Sequence, residues 1–305
     1  MEINSIVSEI KRLKKEKNAV ILAHNYQIPE IQDIADIVGD SLRLSQEAAK
    51  TDADIIVFCG VHFMAESAKI LSPNKKVLLP AIDAGCPMAD MITAESLREY
   101  KDKNPKATVV CYVNSSAEVK AECDVCCTSS NALKIVESLE SEQILFAPDK
   151  NLGSYINDQL KDKQMELWNG FCITHERVRE EEIKLIKNKK AGVQVVVHPE
   201  CNPLVVQHAD FVGSTSQILE HIRMSDDKEF IIGTEMGILH TLRKENLYKK
   251  FTLLSPALIC YNMKKTSLED VYHVLKTEEN EIIVEESIRQ KAFTSLNRML
   301  ELSKG

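Results

Sequence analysis

The sequence predicts an α/β protein of three pseudo-threefold-related α/β/α three-layer domains, whose parallel sheets surround a central funnel. Three observations support this prediction. β-branched strand segments recur along the 305-residue chain, helical patterns separate them, and equivalent features lie 88 and then 86 residues apart. Short apolar strands that alternate with helices are typical of a parallel sheet covered on both faces. The long period indicates three copies of one folding unit.

Three series of segments define the unit. The first series is 20–23, 108–113 and 193–197, the second is 37–41, 125–129 and 211–215, and the third is 55–58, 144–146 and 230–232. We predict the order strand, helix, short strand, helix, strand, connection, strand, cysteine-bearing loop and helix. The predicted domains are 1–104, with an N-terminal helix and Cys86, then 105–190, with Cys172, and 191–305, with Cys260 and the C-terminal helices.

Composition and charge narrow the class of partner. The chain is 44% apolar and 28% charged, and its formal net charge is -8. Beyond residues 11–17 no Lys/Arg block offers a surface for phosphate backbones, so nucleic acid is not expected to bind. The amino terminus has a helical pattern rather than that of a signal peptide, and the longest apolar run, 55–65, is too short to span a bilayer. We therefore expect a cytoplasmic protein with no membrane partner.

Three of the nine cysteines occupy the same position of the repeat. Cys86, Cys172 and Cys260 are separated by 86 and 88 residues, so each unit contributes one cysteine after its last strand. Equivalent loops meet near a pseudo-threefold axis, where three thiolates can share one metal centre. Because a reducing cytosol disfavours structural disulfides, metal ligation is the expected use of these thiols.

Five other cysteines align with small or apolar positions in the other repeats and are predicted to be packing residues. They are Cys59, Cys111, Cys123, Cys126 and Cys127. The spacing of Cys123 and Cys126 would otherwise suggest a redox pair or half of a zinc site. Cys201, beside Glu200, is ambiguous.

Three thiolates suit either zinc with a fourth ligand or a [4Fe-4S] cluster with one open iron. The sequence offers no equally placed fourth ligand for zinc. An open iron can act as a Lewis acid toward a substrate oxygen or nitrogen. The cluster is therefore favoured, and zinc stays an alternative.

Polar side chains at the carboxyl ends of the predicted strands form the second part of the site. The strand-end residues are His24, Tyr112 and His198, and the residues that precede helical patterns are Ser41, Ser129 and Thr215. Hydroxyl groups and backbone N–H groups at strand ends and helix starts can bind an anion. A single serine before a helix is more often a simple N-cap, but three equivalent positions favour a shared function.

Nine motifs spread over almost the whole chain match one family. They are AHNYQ (23–27), GDSL (39–42), GVHFMAE (60–66), AGCPMAD (84–90), YVNSS (112–116), TSSNA (128–132), WNGFC (168–172), HPEC (198–201) and GST (213–215). On these motifs the chain resembles the quinolinate synthase family of bacterial and archaeal de novo NAD biosynthesis. Some family members end in a C-x-x-C-x-x-C segment. No cysteine follows Cys260, so thiol–disulfide control of that kind is not expected.

The resemblance implies an enzyme that condenses iminoaspartate (iminosuccinate) with dihydroxyacetone phosphate to quinolinate, phosphate and water. It implies one [4Fe-4S] cluster, ligated by three cysteines at the bottom of the funnel, with the open iron as Lewis acid. Iminoaspartate could be transferred from an aspartate-oxidising enzyme. Both substrates are anionic, and the residues predicted to bind them are His24, Ser41, Tyr112, Asn114, Ser129, His198, Glu200 and Thr215.

Proton transfer is predicted for Glu200, Tyr26, Tyr112 and His198, with Glu200 as the principal base. No role is predicted for six further residues in matching motifs or beside them: His62, Met64, Glu66, His175, Cys201 and Glu235. One alternative is a non-catalytic iron-sulfur protein that senses a dicarboxylate. The other is a zinc hydrolase that uses the same three cysteines.

Overall fold

The computed structural model describes residues 3–190 and 192–304 and confirms the predicted α/β layers. Met1, Ala191 and Gly305, which bound the first and third predicted domains, lie outside the described residues. The first group of elements is α1 (Ile3–Glu16), β1 (Ala19–His24), α2 (Pro29–Ile34), β2 (Ile37–Gly39), α3 (Ser41–Lys50), β3 (Ile55–Cys59), α4 (His62–Leu71), β4 (Lys76–Leu78) and α5 (Ala94–Lys103).

The same succession follows twice more. The second group is β5 (Thr108–Tyr112), α6 (Ala117–Ala121), β6 (Val125–Cys127), α7 (Ala132–Ser138), β7 (Ile144–Ala147), α8 (Lys150–Asn157), β8 (Met165–Leu167), α9 (Ile173–Glu176) and α10 (Glu180–Lys189). The third group is β9 (Gln194–Val197), α11 (Pro203–Val206), β10 (Phe211–Val212), α12 (Thr215–Met224), β11 (Glu229–Gly233), α13 (Ile238–Glu245), β12 (Lys250–Leu253), α14 (Leu268–Thr277) and α15 (Glu286–Leu302). Short 3-10 helices follow Cys86 and Cys260, at Ala89–Met91 and Asn262–Lys264.

Three four-stranded parallel sheets share one strand order. They are β2-β1-β3-β4, β6-β5-β7-β8 and β10-β9-β11-β12. In each sheet the chain moves to one side of the first strand and then to the other. The carboxyl end of that first strand is therefore a switch point, where α/β sheets bind ligands.

Each connection between the third and fourth strands is a helix: α4, α8 or α13. The sequence predicted these segments only as connections. Helix α4 explains the difference, because eight of its ten residues are buried. It therefore lacks the polar stripe by which a surface helix is recognised in sequence.

The helix that follows each cysteine loop packs on the next group of elements. Helix α5 contacts α6, α10 contacts α11, and α14 contacts α1 and β3, which closes a ring. Helix α15 packs on α6, β6 and α4. The two C-terminal helices therefore cover the first and second sheets, although the predicted third domain includes them. The exact domain boundaries stay a prediction.

No helix in the described residues is both long and apolar enough to cross a membrane.

Candidate active site

The carboxyl ends of the sheets and the three cysteine loops line one cavity. Every residue predicted for substrate binding, catalysis or metal ligation lines it. These residues are His24, Tyr26, Ser41, Cys86, Tyr112, Asn114, Ser129, Cys172, His198, Glu200, Thr215 and Cys260. The structure thus brings together residues that lie up to 236 positions apart in the sequence, from His24 to Cys260.

Each cavity cysteine precedes a short helical turn whose backbone N–H groups face its sulfur. The donors are Met88 and Ala89 for Cys86, His175 for Cys172, and Asn262 and Met263 for Cys260. Amide N–H groups aimed at sulfur stabilise a thiolate. The same local geometry at all three positions suits ligands of one metal centre.

Burial keeps these thiols protonated until a cation displaces the proton. It raises the pKa of Cys86 to about 12 and also raises the pKa of Cys172 and of Cys260. Cys260 adds to the shift at Cys86, and Cys86 adds to the shift at Cys172, so the thiols lie close enough to interact. Three thiols that line one cavity can be ligands of one metal group.

A second possible ligand set overlaps this one. The ligand atoms of Cys172, His175 and Glu200 lie within 4.8 Å of one another. However, His175 Nδ1 lies 2.8 Å from Glu200 Oε2, and it lies 3.2 Å from Cys172 Sγ. The imidazole and the carboxylate therefore already bind each other, and ligation by the three cysteines stays a prediction.

A chain of buried hydrogen bonds runs from Tyr26 to Glu200. The Tyr26 hydroxyl lies 2.7 Å from Thr234 Oγ1, which lies 3.0 Å from His175 Nε2. When His175 Nδ1–H donates a hydrogen bond to Glu200, Nε2 accepts a hydrogen bond from the Thr234 hydroxyl. Thr234 Oγ1 in turn accepts a hydrogen bond from the Tyr26 hydroxyl. The Tyr112 hydroxyl donates to the other Glu200 oxygen at 2.6 Å.

Charge and burial give the two ends of this chain different protonation states. Burial, followed by the Glu200 charge, raises the pKa of Tyr26 well above its usual value. Burial also acts to raise the pKa of Glu200, but the charge that His198 acquires at low pH, the neighbouring His175, and hydrogen bonds from His175 and Tyr112 outweigh it and lower that pKa. Glu200 is therefore an anion that orients His175, and Tyr26 keeps its proton until a base removes it.

His24 and His198 share one local geometry. The backbone N–H of the residue two positions later donates to Nδ1, at 3.1 Å from Tyr26 N to His24 and at 3.2 Å from Glu200 N to His198. Burial lowers the pKa of both imidazoles to about 4. Each ring is therefore neutral near pH 7 and carries its proton on Nε2, so each can donate a hydrogen bond to an anionic substrate.

The hydroxyl residues at the helix ends are not simple N-caps. The side chains of Asp40 and Ser214 cap α3 and α12, which leaves Ser41 and Thr215 at the first helical positions. Thr215 Oγ1 lies 3.0 Å from the Tyr26 hydroxyl. Ser129 Oγ lies 3.2 Å from His198 Nε2. These hydroxyl groups therefore belong to the polar wall of the cavity.

Asp40 joins all three groups of elements at the cavity. Its Oδ2 accepts hydrogen bonds from the Ser130 hydroxyl at 2.7 Å and from the Ser216 hydroxyl at 2.5 Å. Ser130 Oγ also lies 2.9 Å from Ser214 Oγ, whose hydroxyl can donate to it. One carboxylate thus holds the starts of the helical segments from the second and third groups.

Sequence reasoning named Met64, His175 and Glu235 as residues that could line the funnel, without a role, and all three line the cavity. It missed Arg177, which also lines the cavity, and Thr234, which is buried behind it. Thr234 directly follows β11, so the rule that ligands bind at strand ends could have found it. His175 has only its distance of three residues from Cys172 as a sequence signal.

The remaining unassigned residues lie outside the described lining of the cavity: His62, Glu66 and Cys201. The packing prediction for other cysteines is confirmed for Cys59, Cys111, Cys126 and Cys127, which are fully buried. Cys123 is only partly buried, and its Sγ donates to the Val119 carbonyl at 2.9 Å. Cys201 is buried, with its Sγ bonded to the Gly233 carbonyl at 3.4 Å.

Three four-stranded α/β units around one cavity, with converging thiols and a buried acid–base chain, define an enzyme with a metal-binding site shared among domains. The family model described as Quinolinate synthetase A protein matches residues 8–301. The chain belongs to this family.

Curated relatives cover nearly the whole chain. A quinolinate synthase of Alkaliphilus metalliredigens (strain QYMF) is 64% identical over 302 residues, which are 99% of this chain and 100% of the relative. A quinolinate synthase of Geobacter sp. (strain M21) is 58% identical and covers 99% of both chains. One from Caldicellulosiruptor saccharolyticus is 56% identical over 99% of this chain and 100% of the relative.

Proposed function

We propose that the cavity condenses iminoaspartate with dihydroxyacetone phosphate to give quinolinate, phosphate and two water molecules. Cys86, Cys172 and Cys260 would hold a [4Fe-4S] cluster in this reaction. The observation that carries the proposal is the convergence of three repeat-related thiols with the Tyr26-to-Glu200 hydrogen-bond chain in one cavity. The names of the full-length relatives support the same reaction.

The polar wall suits two anionic substrates. Neutral His24 and His198 offer Nε2–H donors, and Ser41, Ser129 and Thr215 offer hydroxyl groups. The Asn114 side-chain oxygen is buried without a hydrogen-bond partner in the described chain, so it can accept a hydrogen bond from a hydroxyl or N–H group of a ligand. Carboxylates and a phosphate can thus be held by hydrogen bonds although the protein carries a net charge of -8.

Bond formation and dehydration both require protons to move at defined atoms. We assign Tyr26 as the group that exchanges a proton with the substrate and His175 as the base that receives it through Thr234. Glu200, which the sequence suggested as the principal base, would act by keeping His175 in the receptive tautomer and by stabilising its charged form. Tyr112, bonded to Glu200, is positioned to deliver a proton on the same side of the cavity.

The cluster, when bound, supplies an open iron that acts as a Lewis acid on a substrate oxygen or nitrogen. The cysteine loops orient it, and the buried walls formed by residues such as Met64 and Met263 keep water away from the reacting groups. We keep the cytoplasmic location and a possible supply of iminoaspartate by an aspartate-oxidising enzyme as parts of the proposal.

Anaerobically purified protein tests the proposal directly. We expect iron and sulfide in roughly equal amounts, close to four of each per chain, and quinolinate formation when both precursors are supplied. Protein that binds a dicarboxylate but releases no quinolinate would support the sensor alternative. Zinc without visible absorption would support the hydrolase alternative. Either result would overturn the proposal.

A further inference from the structure

The three cysteine loops are anchored to their sheets by equivalent backbone hydrogen bonds. In each case the acceptor is the carbonyl two residues before the cysteine, and the donor lies just beyond the third strand. The three bonds are His62 N to Ala84 O at 2.8 Å, Lys150 N to Gly170 O at 2.8 Å, and Met236 N to Leu258 O at 2.9 Å. The anchor is therefore a feature of the repeat itself.

The residue immediately before each donor differs among the repeats. It is Val61 in the first, Asp149 in the second and Glu235 in the third. Both acidic residues have a relative exposure of 0%. A buried carboxylate is costly unless polar groups satisfy it, so the partners of these two side chains show what they hold in place.

The Glu235 carboxylate binds the loop of the third ligand. Oε1 accepts the backbone N–H of Cys260 at 3.0 Å, and Oε2 accepts the N–H of Gly237 at 2.7 Å. The ammonium group of Lys264 lies 2.9 Å from the carboxylate and also donates to the Tyr26 carbonyl. Glu235 thus connects the Cys260 loop to its own strand end and, through Lys264, to the segment that carries Tyr26.

Asp149 occupies the same place beside the second ligand. Oδ1 accepts the N–H groups of Asn151 and Leu152 at 2.8 and 2.9 Å, and Asp149 pairs with Gly170 in a parallel bridge. Its Oδ2 is buried without a hydrogen-bond partner in the described chain. Burial and then the Glu200 charge raise the pKa of this carboxyl group well above its usual value, and the Cys172 N–H acts in the opposite direction. Asp149 therefore joins the Cys172 loop through the Gly170 bridge, and Glu235 joins the Cys260 loop through the Cys260 N–H.

We propose that Asp149 and Glu235 are positioning residues that fix the Cys172 and Cys260 loops in the geometry required for metal ligation. The Cys86 loop, with Val61 at the equivalent position, has the backbone anchor without the carboxylate. The inference rests on the proposed ligand set. Partners that orient metal ligands affect affinity strongly, because a mobile ligand loop releases its metal more readily.

The test compares iron release from the holoenzyme of the parent, Asp149→Asn and Glu235→Gln under anaerobic, non-denaturing conditions. A ferrous chelator is the probe, and we expect release to be roughly 10-fold faster in each variant. The Gln amide has one oxygen and one NH₂ group, so it cannot accept both N–H groups that the Glu235 carboxylate accepts. The electron paramagnetic resonance spectrum of the reduced holoenzyme should broaden or shift in the same variants.

Glu66→Gln is the matched control, because Glu66 is also buried and accepts the Ala117 N–H at 3.1 Å, at the start of α6. Its iron release should stay within about twofold of the parent. The thermal midpoint of each apoprotein separates loss of the ligand geometry from general destabilisation. Where Glu235→Gln does not fold, Glu235→Asp keeps the charge but withdraws the oxygens from Cys260 N, and the same acceleration is expected.

Parent-like iron release from folded Asp149→Asn and Glu235→Gln would overturn the inference. So would equal acceleration in Glu66→Gln. A parent protein that contains no iron would instead contradict the proposed function, so the two failures are distinguishable.

Discussion

Burial and neighbouring charge decide what each residue of the cavity can do. His24 and His198 stay neutral near pH 7 because burial lowers the pKa of each to about 4. The pKa of Glu200 is lowered in the same surroundings because hydrogen bonds from His175 and Tyr112, and the charge that His198 acquires at low pH, outweigh its burial, so Glu200 is ionised near pH 7. The residue types alone suggested acid–base work for His198 and Glu200. Their hydrogen-bond partners indicate a donor for the first and an orienting anion for the second.

Glu200→Gln should nearly abolish turnover while iron content stays at the parent level. The amide cannot accept from both Tyr112 and His175 as the carboxylate does, and it supplies no charge to stabilise protonated His175. We expect kcat to fall by roughly 10²- to 10⁴-fold, as measured by anaerobic quinolinate formation. Glu66→Gln provides the comparison for loss of a buried carboxylate elsewhere. Near-parent turnover in Glu200→Gln would remove Glu200 from this role.

Thr234→Val tests the hydrogen-bond chain at a residue that sequence reasoning did not identify. The substitution keeps the shape but removes the hydroxyl that joins Tyr26 to His175, so we expect kcat to fall by roughly 10²-fold or more at unchanged iron content. Thr266→Val is the control. Thr266 is also fully buried, and its hydroxyl has no hydrogen-bond partner in the described residues, so activity should persist and stability should rise by up to ~1 kcal/mol. Equal activity in the two variants would contradict a catalytic role for the hydrogen-bond chain from Tyr26 to His175.

At the scale of elements, the sequence predicted the central strands closely but not the helices between the third and fourth strands. The predicted strand 55–58 corresponds to β3 (Ile55–Cys59), because a fully buried parallel strand is a continuous apolar run. Helix α7 begins at Ala132, and Ser130, two residues before it, is bonded to Asp40 across the cavity. That contact joins residues 90 positions apart and leaves no local pattern in the sequence.

Glu278 follows α14 in a left-handed conformation (φ 59°). It contacts Lys17, just after α1, and Lys76, the first residue of β4. Its carboxylate lies 2.6 Å from Lys17 Nζ and 2.5 Å from Lys76 Nζ. Hydrogen bonds from Lys17 and Lys76 lower its pKa from 4.5 to about 2. Since the folded protein holds the ionised form more strongly, this stabilisation is present above pH 4.5 and is lost as the pH falls toward 2.

Glu278→Gln should therefore lower the free energy of unfolding at neutral pH by about 0.5–1 kcal/mol, a modest value because these ion pairs are partly exposed. Urea unfolding of parent and variant at a series of pH values measures the difference. The difference should shrink steadily below about pH 5. A difference that grew as the pH fell would show that the Lys17 and Lys76 contacts do not stabilise the folded state.

At the scale of the whole molecule, the repeat period predicted three α/β units, and the structure confirms that architecture. The period could not show where the last helix of each unit packs. An apolar stripe on α5, α10 or α14 indicates that the helix is covered but does not identify the covering sheet. The structure shows that each of these helices covers the next unit in the ring. Conversely, the spacing of Cys86, Cys172 and Cys260 was enough to place them together, because equivalent loops meet near a pseudo-threefold axis.

The ring arrangement predicts that damage at one interface destabilises all three units. Leu97, Ile183 and Val271 occupy equivalent positions on α5, α10 and α14, and each is 0% exposed. Ile183→Ala leaves a cavity between α10 and the third sheet and should cost about 2–5 kcal/mol of unfolding free energy. Leu185→Ala, on the same helix but 54% exposed, should cost no more than ~0.5 kcal/mol.

The fluorescence of the single tryptophan shows whether this loss of stability affects the other units of the ring. Trp168 lies in the second unit, and its Nε1 donates to the Met91 carbonyl of the first at 2.9 Å, whereas Ile183 packs with residues of the third sheet. If the ring unfolds cooperatively, Ile183→Ala shifts the urea midpoint of Trp168 fluorescence by as much as that of far-UV circular dichroism. If the units unfold independently, the dichroism transition splits and the Trp168 midpoint stays at the parent value. The second result would show that the closing contacts of α10 and α14 do not couple the three units, although all three supply ligands to one cavity.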